Sequence, residues 1–122
     1  MAENYAFVAD LGKEIGDIPK DGILSQTIYA DSQVKAVLFG FDQGQELSEH
    51  TASTSAIIHI IKGEAKITLG KDNLEVQAGS WIHMDPKLSH SILAKTALVM
   101  LLLIFKAKEQ SEYAFSEEAQ SR

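Results

Sequence analysis

The chain has 122 residues, enough for one domain built around one core. Its 11 basic and 17 acidic residues give a net charge of −6 with no basic run, so neither nucleic acid nor an anionic membrane is an expected partner. There is no cysteine, which excludes disulfides, thiolate nucleophiles and zinc–thiolate sites and fits the expected cytoplasmic location.

The first residues, Met-Ala-Glu-Asn-Tyr, are neither basic nor followed by an apolar stretch, so no signal peptide is expected. Residues 1–22 read as an irregular arm, punctuated by Gly12, Gly16, Pro19 and Gly22, with an edge strand near Tyr5–Val8. A barrel is expected over residues 23–106. Its first strand is Ile23–Tyr29, and the second, Val34–Phe41, is richer in β-branched and aromatic residues. Asp42-Gln-Gly44 is turn chemistry, and a loop carrying Glu46 and Glu49 is expected to lead to His50.

Ala56–Ile61 reads as a buried strand closed by Lys62-Gly63. Ala65, Ile67 and Leu69 alternate with Lys66 and Thr68, the signature of a half-buried strand. Gly70-Lys-Asp-Asn73 turns the chain into Leu74–Gln77 as a hairpin. Ser80–Met84, Ser89–Ala94 and Ala97–Phe105 complete the set. The apolar run from Ala97 to Phe105 is too short to cross a bilayer as a helix. Residues 107–122 turn polar and acidic, as expected of a solvated tail or a short helix from Ser116. About eight short strands with close turns define an all-β barrel or sandwich.

Two histidines stand out, His50 in Gly44-Gln-Glu-Leu-Ser-Glu-His50 and His90 in Asp85-Pro-Lys-Leu-Ser-His90. Imidazole is the commonest metal ligand and is easily tuned for acid–base work near neutral pH. The stretch from Gly44 to Phe105 resembles the cupins. Gly44, five residues, His50 and then Gly63 follow their first motif; Gly79 and His90 follow the second. The resemblance implies a double-stranded β-helix, the jelly-roll barrel. It resembles in particular a subgroup of small single-domain bacterial cupins with alanine after the first histidine.

The departures are specific. Ala52 stands where cupins place a second histidine and Ala56 where they place a glutamate; Lys87 or Leu88 replaces a glycine, and Ala94 an asparagine. His50 and His90 therefore remain from the metal set that the resemblance implies. A divalent transition metal (zinc, iron, manganese or nickel) would need a third ligand from Glu46, Glu49, His59 or His83, with Glu46 the chosen candidate.

Strand alternation puts Ile58 and Ile60 on the face of Ala56, and Met84 on the face of Ile82. His59 and His83 then point outward, as a pair on adjacent strands. Trp81, Phe39, Phe41 and Met100 are expected to fill the core or an interface. The expected pocket is lined by His50, Ala52, Ala56, Ile58, Met84 and His90. Two readings fit these residues. One is an enzyme acting on a small organic molecule, with His50 and His90 as ligands or acid–base groups. The other is a non-catalytic binding or sensing module whose metal site is lost. The apolar strands Val34–Phe41 and Ala56–Ile61 would be covered in a homodimer. The serines lack a nucleophile-elbow context, and no phosphate loop or dinucleotide fingerprint occurs.

Overall fold

Runs of valine, isoleucine, leucine and aromatic residues, cut by glycine and aspartate turns, form nine antiparallel strands in a computed structural model that describes residues 4–107. They are β1 (Ile23–Ala30), β2 (Val34–Phe41), β3 (Glu46–His50), β4 (Ala56–Lys62), β5 (Glu64–Leu69), β6 (Asp72–Gln77), β7 (Trp81–Met84), β8 (His90–Ala94) and β9 (Leu98–Phe105). One sheet has the order β1-β2-β9-β4-β7 and the other the order β3-β8-β5-β6. The two sheets form a jelly-roll barrel.

The core is the shared inner face. Phe41 and Leu98 are register partners and both are fully buried, as are Ile58, Ile67 and Ile92. Each such side chain contributes about 2 kcal/mol by leaving water. Alternation is strict where it matters: Ala56, Ile58 and Ile60 are buried on β4, while Ile57, His59 and Ile61 are half-buried on the other face.

The turns follow local chemistry. Gly70-Lys71 is a two-residue loop between the paired Leu69 and Asp72. Gly63 joins β4 of one sheet to β5 of the other at φ +88°, and a Cβ there would lie 2.1 Å from the Ala97 carbonyl oxygen. Only glycine fits that approach. The contact clamps the β4–β5 turn to the β8–β9 turn, where Glu64 N–H also donates to Thr96 Oγ1.

Two expectations fail before β4. The Tyr5–Val8 segment forms no strand; Tyr5 and Phe7 are exposed. The arm instead contains one helical turn, α1 (Leu11–Glu14), started by Asp10, whose carboxylate accepts from Gly12 N–H at 3.0 Å. The Gln26 side chain then pins the arm, accepting from Gly16 N–H and donating to the Glu14 carbonyl, each at 3.0 Å. Ile15 and Ile18 pack over Gly40 on the outward face of β2, which helps bury Leu38. The second failure is the loop expected over Glu46–His50, which is strand β3.

The expected tail helix from Ser116 lies outside the described residues. Among the described residues, no helix is long and apolar enough to cross a membrane.

Candidate functional site

β3 and β8 bring the two histidines together. Leu47 pairs with Ile92, and both face the core; an irregularity between Leu47 and His50 then sets His50 directly opposite His90. Without that extra residue His50 would fall on the outward face. The imidazole centroids are 4.1 Å apart and the rings are inclined at 61°. On the strands' other side, Ser89 Oγ hydrogen-bonds the Glu49 carboxylate and ties the same two strands together.

Each ring is held in the same way. His50 Nδ1 lies 2.8 Å from the Ser48 carbonyl oxygen, and His90 Nδ1 lies 2.9 Å from that of Leu88. His90 is the sole buried polar residue among the described residues. A backbone bond of 2.7 Å from Lys87 N–H to the Ala52 carbonyl joins the β7–β8 and β3–β4 connections beside the pair.

The two histidines line a cavity of about 130 Å³ between the sheets. Ala56, Met84, Leu102 and Ile104 come from the five-stranded sheet. Ala52 and Thr54 come from the β3–β4 connection, and Asp85 and Leu88 from the β7–β8 connection. Five of the six expected pocket residues therefore meet: His50, Ala52, Ala56, Met84 and His90. Ile58 does not line the cavity; it shares the face of Ala56 but lies in the packed core, 1% exposed. Alternation gives a residue's face but not its depth.

Sequence reasoning missed Thr54, Asp85, Leu88, Leu102 and Ile104. Leu102 and Ile104 were accessible from the pattern, since they follow Met100 at two-residue spacing on β9.

The third-ligand candidates do not converge. Glu46 pairs with Leu93 on the outward face, because Leu47 beside it faces the core. Glu49 is engaged by Ser89. His59 and His83 do lie outward on adjacent strands, as alternation predicts, opposite Trp81 and Ile57 respectively. His83 Nδ1 lies 3.9 Å from Asp85 Oδ1. Trp81 is 60% exposed on that face and so is not core. Among the described residues no three His, Cys, Asp or Glu side chains are grouped to hold a metal ion. Two imidazoles flanked by Ala52 and Ala56 do not fit a resident first-row metal, which takes at least three protein ligands.

The barrel with a pocket at the β3–β8 end defines a small-molecule-sized site within a jelly roll. Solved structures share this architecture. A conserved protein of unknown function from Streptococcus pyogenes is 31% identical, with a TM-score of 0.76 over 88% of this chain and 93% of that one. A cupin superfamily protein from Desulfitobacterium hafniense is 20% identical, with a TM-score of 0.76 over 88% of this chain and 95% of that one. An RmlC-like cupin from Shewanella frigidimarina is also 20% identical, with a TM-score of 0.72 over 90% and 96%. No family model matches the sequence, and no curated protein matches it. The chain has the cupin fold.

Proposed function

We propose that this cupin binds a small, largely apolar organic molecule in the cavity that His50 and His90 close at one end. The observation that carries the reading is the composition of that cavity. Ala52, Ala56, Met84, Leu88, Leu102 and Ile104 supply apolar walls, and the polar groups are few. Such a site favours apolar bulk with orientation set by one or two hydrogen bonds. Replacing two metal-ligand positions by alanine opens space that a ligand side chain would otherwise fill.

The test is a thermal-shift titration with toluene and a panel of small metabolites, on wild type and on Ala52→Leu. A stabilisation present in the wild type and absent from Ala52→Leu supports the reading. No stabilisation by any compound would sink it. Metal analysis after purification without chelator is the companion measurement: stoichiometric metal, lost in His90→Ala, would restore the metalloprotein reading.

A further inference from the structure

The two imidazoles fix which chemistry the cavity's polar end can accept. A carbonyl oxygen has no proton to donate, so the bonds from Ser48 and Leu88 place the hydrogen on Nδ1 of both His50 and His90. In the neutral ring the other nitrogen, Nε2, is then an acceptor. Among the described residues no hydrogen bond engages either Nε2. Thr54 carries the one hydroxyl of the lining, and the Asp85 carboxylate is turned outward toward His83. The lining is therefore rich in acceptors and poor in donors.

We infer that the cavity selects molecules bearing a hydroxyl hydrogen-bond donor on a compact apolar body, over isosteres that lack the donor or carry only an acceptor. The inference rests on the proposed pocket and names the class of ligand within it. The volume supports a compact body: about 130 Å³ is close to the ~150 Å³ of an apolar cavity that holds benzene. An aromatic or aliphatic alcohol of that size can place its ring against Met84, Leu102 and Ile104 and its hydroxyl against Nε2 of one histidine.

The experiment compares phenol, toluene and pyridine by calorimetry at pH 8 with EDTA present. The chelator removes metal as an intermediary. The readout is each probe's affinity relative to toluene in the wild type, divided by the same ratio in His50→Leu and in His90→Leu. The cost of taking each probe out of water cancels in that quotient. The expected result is a loss of about fivefold in the phenol-to-toluene ratio in at least one variant, the worth of one net hydrogen bond. The pyridine-to-toluene ratio should not fall.

Toluene binding with an unchanged phenol ratio would overturn the donor inference and leave the pocket reading intact. A fall in the pyridine ratio alone would place donors, not acceptors, at the site and also overturn it. No binding of either phenol or toluene would remove the pocket reading and this inference together. If the variants do not fold, ¹⁵N shifts of the wild-type imidazoles decide. Phenol, and not toluene, should move the Nε2 resonance of His50 or His90; equal responses to both would overturn the inference.

Discussion

Adding the two donors that the resemblance to cupins implies tests whether alanine, and nothing else, separates this barrel from a metal site. The perturbation is Ala52→His with Ala56→Glu. Ala52 and Ala56 line the same cavity as His50 and His90, and the cavity's volume of about 130 Å³ can accept the added side-chain atoms. Ala56 is 4% exposed, so a carboxyl group there is buried. Without metal it is poorly compensated, and a loss of about 2–3 kcal/mol is expected. With zinc the set becomes three imidazoles and one carboxylate, a sufficient donor group. Zinc at a thousand times its dissociation constant would return about 4 kcal/mol. For a domain of this size that corresponds to a fall of roughly 10 °C in Tm in EDTA and a rise of roughly 15 °C with zinc. Differential scanning calorimetry of wild type and double variant, each in EDTA and in zinc, gives the four values needed. An equal zinc response in the wild type would refute the argument that its donors are too few. No zinc response in the folded double variant would refute the claim that the four side chains point into one volume.

Gly63→Ala should cost at least about 3 kcal/mol in urea unfolding, because its Cβ meets the Ala97 carbonyl at φ +88°, whereas Gly79→Ala, at φ +96° with open space around its Cβ, should cost only about 1–2 kcal/mol of backbone strain. Equal losses would show that the turn-to-turn contact is not constraining. The carboxyls of Asp31 and Asp42 are held below the usual range, Asp31 by the Tyr29 hydroxyl and the Gln33 and Val34 amides, Asp42 by the Asp21 and Gln43 amides. A depressed folded pKa means their contribution is complete above about pH 4 and is lost as pH falls below it, so Tm should begin to drop there, with a shallower slope in Asp31→Asn. An unchanged slope would remove Asp31 from the acid response. Light scattering at micromolar concentration should give a dimer mass, reduced to a monomer by Trp81→Lys on the exposed outward face of β7; a monomeric wild type would overturn the expected homodimer.

Most of the barrel was legible because its strands carry their own periodicity. Val34–Phe41 is observed with the boundaries expected, and seven other strands begin within two residues of expectation. β3 was not legible for a physical reason. Glu46, Ser48, Glu49 and His50 are polar, and Leu47 alone marks the core face. The strand exists because β8 pairs with it, a non-local fact that no window of residues contains. The Tyr5–Val8 segment shows the converse: a short apolar run without a ladder partner does not make a strand. Trp81 likewise shows that residue type alone does not decide burial, since its register opposite His59 puts it outside.

The same pairing explains why the site was only half legible. Spacing from glycine located His50 and His90, and alternation placed Ala56 and Met84 beside them. Counting back from His50 could not place Glu46, because the extra residue between Leu47 and His50 breaks the alternation. It also left open whether Lys87 or Leu88 takes the family's glycine position. The backbone decides for Lys87, which has φ +70° while its N–H holds the Ala52 carbonyl. A lysine kept in a conformation that favours glycine has a side chain to spare and a backbone that must turn. The turn ties the β7–β8 connection to the β3–β4 connection at the rim of the pocket. Lys87→Gly should therefore leave toluene binding intact and stability equal or higher, whereas Lys87→Val, β-branched at the same φ, should lower both. A Lys87→Val protein as stable as wild type would show that the rim does not depend on this turn.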